Sequence, residues 1–233
     1  MKRILLKVSG EALGGNEGQG IDQETVHNLA NQIKELQSMG VQIGMVCGGG
    51  NIFRGIQGES TGIDRVPADF MGMLATIINA VALQGIFDSQ GIPSLVMTPF
   101  RLQEYVELYN AQTARQYLEE GKVVLLAGGA GHPFFTTDPA AALRAAELKV
   151  DLMIKATKVN GVYDSDPAKN PEARFFERLS YLEVLRNQLK VMDLSAVAMC
   201  LENKIPIRVL NVFEKNNIVA VCKGEQVGTL IHA

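Results

Sequence analysis

The sequence predicts an α/β fold built on a mostly parallel sheet, and three observations predict it. Short β-rich apolar runs alternate with segments of helical spacing along the 233 residues, the pattern of strand–helix–strand units. Three of those runs end in glycine-rich turns: KVSG (7–10), CGGGNIFRG (47–55) and AGGAGHPFFTTD (127–138). No Pro/Ser linker, repeat or low-complexity tract interrupts the alternation, so residues 1–233 read as one domain.

Each element has its own local reason. Residues 4–8 (ILLKV) are apolar and β-rich, a buried first strand, and a glycine-laden loop (14–20) follows. Asp22 suits an N-cap for a helix to about Met39, with Val26, Leu29, Ala30, Ile33 and Leu36 at helical spacing and Gly40 ending it. Residues 41–47 read as the second strand. The segment 67–89 is apolar nearly all round, which predicts a helix covered on most sides, in the core or at a subunit interface. Asn79 and Gln84 interrupt its apolar run, and no stretch reaches the ~18 consecutive apolar residues of a membrane helix.

A strand (93–97), a helix (110–120), a strand (122–127) and a helix (138–148) opened by Pro139 come next, then a strand at 151–154. The polar loop 159–175 holds two prolines and is long enough to suggest function. Helices near 181–186 and 194–203, a strand at 205–210, and strands at 218–221 and 229–232 complete the chain.

Composition narrows the classes. Hydrophobic residues make up 47% and charged residues 20%, ordinary for a globular protein and against global disorder. The formal net charge of −3 gives no preference for nucleic acid, so positive charge for an anionic substrate must be local. Cys47, Cys200 and Cys222 are widely spaced with no C-x-x-C pair. They predict neither a disulfide framework nor a zinc site, but small residues in or near the core of a protein in a reducing compartment. Only ILL separates the basic N-terminal residues from Lys7, too short for a signal peptide, so a cytoplasmic location is expected.

The Walker pattern G-x-x-x-x-G-K-[ST] is absent, so any phosphate is cradled by other turns. In open α/β sheets ligands bind outside the carboxyl ends of the strands, where all three glycine turns fall. Lys7 closes the first strand with Ser9 and Gly10 behind it, placed to neutralise a transferring phosphoryl group, unless it simply faces solvent. Three consecutive glycines, Gly48 to Gly50, are entropically costly and of little use for packing. Arg54 follows them at a spacing that lets its fork meet a phosphate; a plain tight turn is the alternative. Thr136 and Thr137 precede a helix and can hold a second anion or a sugar. Phe134 and Phe135 either flank a base or pack, and His132 lacks a partner for acid–base work. Lys155 and Lys158 read as lysines near phosphates, with Tyr163, Asp164 and Asp166 in a loop that wraps an adenine or ribose, or else in a solvated turn. Asp193 opens a helix, where capping is the plain interpretation.

The stretches KRILLK-SGEAL, GGGN-FRG, MGMLAT, G-PFFTTD, KATKV-GVY--DP, LKVMDL and IPIRV-N, in this order, resemble the amino acid kinase family, from the start of the chain to GTLI near its end. The resemblance implies a three-layer sandwich, a central, largely parallel sheet between helical layers, assembled as a homohexamer. It also implies Mg2+-dependent transfer of the ATP γ-phosphoryl group to UMP in pyrimidine nucleotide biosynthesis. By motif position, Lys7, Ser9, Gly10, Gly50, Arg54, Thr157, Tyr163 and Asp166 would serve ATP. Gly49, Asp69 and the turn of Ala130, Gly131, His132, Pro133, Phe134, Phe135, Thr136 and Thr137 would serve UMP, with Asp69 accepting both ribose hydroxyls. Lys7 and Lys158 would neutralise the transferred group and Asp193 would orient the lysine. The UMP phosphate is already ionised near neutral pH, so no general base is needed; no residue is assigned to the metal.

One departure stands out: GAGHPFF replaces the GTGNPFF of the family's UMP-phosphorylating members. Ala130 lacks the threonine hydroxyl, so weakened or rearranged UMP contacts are expected, with the substrate unchanged. The resemblance also implies nucleotide effectors, UTP inhibiting and GTP activating. Residues 86–95 contain no Lys or Arg, which argues against a GTP site there. Two other readings stay open: a carbamate, acetylglutamate or aspartate kinase sharing the fold, and a uridine-nucleotide sensor that has lost activity.

Overall fold

A computed structural model describes residues 1–53, 62–102 and 105–233. Among them nine strands form one sheet in the order β4-β3-β5-β2-β1-β6-β10-β11-β9. These strands are β1 (Arg3–Val8), β2 (Gln42–Cys47), β3 (Ser94–Thr98), β4 (Glu107–Leu108), β5 (Val123–Leu126), β6 (Leu152–Thr157), β9 (Arg178–Ser180), β10 (Ile207–Asn211) and β11 (Thr229–His232). Every pairing in it is parallel except β10 with β11. A separate antiparallel hairpin, β7 (Val162–Tyr163) with β8 (Phe175–Phe176), stands in the polar loop. Sequence gave that loop no structure, because two-residue strands carry no periodicity.

Helices cover both faces. On one side lie α2 (Gln23–Ser38), α3 (Arg65–Ser89) and α8 (Asn217–Cys222), packed on Ile4, Leu6 and Val8 of β1. On the other lie α4 (Ala111–Glu119), α5 (Thr137–Leu148), α6 (Tyr181–Arg186) and α7 (Leu194–Glu202), packed on Leu5. The short α1 (Gly10–Leu13) follows β1 and is capped by Ser9, whose hydroxyl accepts from Ala12 N. Three layers result, as the resemblance implies. Cys47 and Cys200 are buried, and burial pushes both thiols up to about 12.

The segment 218–221 is not a strand but part of α8. A four-residue apolar run does not distinguish the two, and here tertiary packing decides. Gln32 of α2 accepts from Ile218 N, and Ile218, Val219 and Val221 are buried.

Helix α3 also differs from its apolar-all-round reading. Its buried face carries the polar Thr76 and Asn79, while Phe70, Met71, Leu74 and Ile78 are exposed. By length and composition it could cross a membrane, but its inner face is fixed to the turns after β2 and β5 by hydrogen bonds.

Two crossovers of opposite face position the site. The chain passes from β1 to β2 through α2 on one face, and from β5 across β2 and β1 to β6 through α5 on the other. The crevice at the carboxyl ends of β2, β1 and β6 therefore lies at a topological switch, with the start of α5 above it.

Candidate active site

Two lysines meet at the end of the central strands. Side chains alternate along a strand, so Lys7 shares with Leu5 the face covered by α5. The register pairs Lys7 with Lys155 on neighbouring β6, putting both ammonium groups on that face. Two like charges side by side need a counter-charge. Asp138, in the first turn of α5, supplies it: Oδ1 lies 2.9 Å from Lys7 Nζ and Oδ2 2.8 Å from Lys155 Nζ. Lys155 also donates to Val191 O at 2.6 Å. Lys7 is only 7% and Asp138 8% exposed, so Lys7 is no solvent-facing strand-end lysine. Burial pushes the Asp138 carboxyl up, but the two lysines outweigh it and hold it below its ordinary value. Burial pulls the Lys155 ammonium down, and Asp138 recovers only part of that.

Sequence reasoning gave an orienting role to Asp193; the carboxylate in contact with both lysines is Asp138. Asp193 stands at the start of α7 but makes no capping bond; its Oδ2 accepts from Thr136 Oγ1 at 2.6 Å. Thr136 in turn caps α5, accepting from Asp138 N at 3.2 Å. Asp193 is thus linked to the α5 N-terminus that carries Asp138, and its charge favours the Lys155 ammonium. Lys158 donates to Gly15 O at 2.9 Å. Asp138 was missed because nothing in a DP dipeptide at a helix start distinguishes a cap from an ion-pair partner.

The glycine turns pack more closely than expected. A Cβ on Gly10 would fall 2.5 Å from Gly50 N, and one on Gly49 2.8 Å from both Ala75 Cβ and Gly72 O. Gly48 and Gly49 are therefore required by packing, contrary to the sequence reading: the turns after β1 and β2 touch each other, and the second touches α3. Asn79, fully buried, donates to Gly48 O at 2.7 Å and exchanges two bonds with Asn51. Thr76 Oγ1 accepts from Gly128 N at 2.8 Å, fixing the third turn from the same helix.

Two cavities flank the lysines. One, of 190 Å³, is lined by Gly49, Asp69, Phe135, Thr136 and Thr137, all sequence candidates for UMP, by Gly50, a sequence candidate for ATP, and by Arg65. Asp69 accepts from Arg65 Nε at 2.8 and 2.9 Å and from Phe134 N at 2.7 Å. Three of its about four acceptor positions are thus occupied, so a two-hydroxyl grip requires exposed Arg65 to yield. The Phe134 bond holds a left-handed backbone, φ 69°, that a bulky side chain disfavours. Phe134 and Phe135 are 65% and 54% exposed, so neither is a packing residue. Ala130, Gly131, His132 and Pro133 lie in the same turn without lining this cavity.

The second cavity, of 730 Å³, is lined by Thr157, Tyr163 and Asp166 together with Lys155, Asp164 and Val191. Tyr163 packs edge-on against Phe175 across the hairpin, 5.3 Å between centroids. Lys155 joins this cavity to the lysine pair, and Asp138 follows Thr137 of the first. Arg54 lies outside the described residues.

A strand-end crevice with paired lysines, glycine turns and no Walker loop defines an α/β phosphotransferase. The chain belongs to the amino acid kinase family, whose model matches residues 2–211. It is 51% identical over 230 residues to a uridylate kinase of Methylococcus capsulatus, covering 99% of this chain and 96% of that one. Among solved structures it is similar to a UMP kinase from Bacillus anthracis, with TM-score 0.95 and 38% identity over 99% of this chain and 96% of that one. It is also similar to a UMP kinase from Ureaplasma parvum, with TM-score 0.93 and 36% identity over 100% and 99%.

Proposed function

We propose that this chain, as one domain spanning residues 1–233, transfers the γ-phosphoryl group of ATP to UMP, giving UDP and ADP. The observation that carries the reading is the Lys7–Asp138–Lys155 cluster between two cavities of unequal size. The full-length likeness to uridylate kinases supports the choice of substrate. UMP occupies the smaller cavity, with Asp69 on the ribose and Thr136, Thr137 and the 130–135 turn around the nucleotide. ATP occupies the larger, with Tyr163, Asp166 and Thr157 on the nucleoside side and Ser9, Gly10 and Gly50 near its phosphates.

A UMP phosphate oxygen attacks the γ-phosphorus, the bond to the bridging oxygen of ADP breaks, and ADP carries off the charge. Lys7 and Lys155 offset negative charge along this path, while Lys158 ties the glycine loop to the end of β6. Rate enhancement comes from positioning and electrostatics.

Mg2+ fits this site as an ion carried on ATP. Both Asp138 oxygens face lysines, and no group of three or more His, Cys, Asp or Glu converges among the described residues. Such an ion, held largely by phosphate and water, supplies further charge neutralisation when bound.

Exposed Phe70, Met71, Leu74 and Ile78 on α3 support self-association, the family resemblance supports a homohexamer, and the short N-terminal apolar run and unpaired cysteines support a cytoplasmic location. Ile78→Asp is expected to lower the light-scattering mass from about six chains; an active wild-type monomer would end the hexamer reading. UTP and GTP remain proposed effectors.

Turnover with ATP and Mg2+ tests the function. UMP is expected to be phosphorylated in strong preference to CMP, carbamate and acetylglutamate. Turnover of a carboxylate acceptor, or binding of UMP without turnover, would establish one of the two other readings.

A further inference from the structure

At the far edge of the sheet the register pairs Arg208 of β10 with Leu230 of β11, and Leu230 with Arg178 of β9. Residues paired across neighbouring strands point to the same face, so two guanidinium groups flank Leu230. A cavity of 120 Å³ opens there, lined by both arginines, Leu230, Phe175, Gln226, Gly228 and one carboxylate, Glu177. It shares no lining residue with the two reaction cavities.

Among the described residues Arg208 Nε is shut off from water and donates to no protein atom. A buried guanidinium N–H without an acceptor is costly. Burial pulls the Arg208 guanidinium down, and the nearby charge of Arg178 adds to this. Arg178 Nη2 lies 3.0 Å from His232 Nε2, which steadies its fork without neutralising it. Neither arginine is in an ion pair among the described residues.

We propose that this cavity binds one phosphate group, with Arg208 and Arg178 as its donors. Planar guanidinium forks suit the tetrahedral oxyanion. A cavity of this size admits one such group. The group can be free inorganic phosphate or the terminal phosphate of a nucleotide whose remainder lies outside.

Calorimetric titration of inorganic phosphate into the full chain tests this, with UMP and a non-hydrolysable ATP analogue saturating the reaction cavities and chloride fixing ionic strength. One phosphate per chain is expected, weakened about tenfold by Arg178→Gln and at least as much by Arg208→Gln. Arg178 is exposed, so its variant stays folded even if the Arg208 variant does not. Titrating CTP instead separates the sources: tighter binding than phosphate assigns a nucleotide phosphate, equal or weaker binding the free ion. No saturable phosphate binding, or equal affinity in wild type and Arg178→Gln, overturns the site.

Discussion

The two cavities beside β1 are held in opposite ways. On the β2 and β5 side the glycine turns are fixed from behind by α3, through the buried bonds of Asn79 and Thr76. On the β6 side the wall is a two-residue hairpin and a polar loop, whose Ser165, Asn170 and Asp164 bonds are solvent-exposed. Buried polar bonds have no water to replace them and hold geometry firmly; exposed ones exchange readily. The small side is preorganised for a small acceptor, and the large side is built from contacts that can adjust to a larger nucleotide.

The largest way to break the comparison is at the charge that joins the sides. Asp138→Asn leaves two mostly buried lysines without their counter-charge, and stability is expected to fall by about 3–5 kcal/mol, with kcat lower by roughly 100-fold. The sign with pH follows from the depressed Asp138 value. The carboxylate contributes fully above the ordinary Asp value of about 3.9 and is lost as pH falls through the lower folded value. Urea unfolding of both proteins should therefore converge in that acid window; a constant gap across it would show that the lost stability is not electrostatic.

Next in size, Asn79→Ala removes the bond to Gly48 O and strands Asn51, at a cost of roughly 1–3 kcal/mol. A rise in the KM for UMP should accompany it, because the turn it fixes lines the small cavity. Unchanged stability would mean the turn holds itself.

Smaller effects sharpen the division. Asp69→Asn is expected to raise the KM for UMP about tenfold and leave that for ATP nearly unchanged. Tyr163→Ala should do the reverse by a few-fold, losing the ring contact with Phe175 and the cavity wall. If either variant shifts both constants equally, the cavities do not serve separate substrates.

Most of this architecture was legible because strand and helix periods are local. The strand of β1, the spacing on α2 and the cap at Asp22 need no tertiary knowledge. Two things were not. Register between distant strands has no sequence signal, so the pairing of Lys7 with Lys155 was invisible, and with it the need for Asp138. The polar face of α3 points inward, so an amphipathic reading finds no pattern although Thr76 and Asn79 organise two turns. Gly49 was read for UMP, and its backbone is also pressed against α3; close approach to a ligand and to a helix ask for the same residue.

The central claim is that Lys7 works on the transferring group and not on either substrate's affinity. Measuring kcat together with UMP binding in Lys7→Ala tests it most directly, with circular dichroism as the check on folding. Loss of kcat by at least ~100-fold with UMP affinity within a few-fold of wild type is predicted. A folded variant that keeps most of its kcat, or loses turnover only through lost UMP binding, would contradict the account.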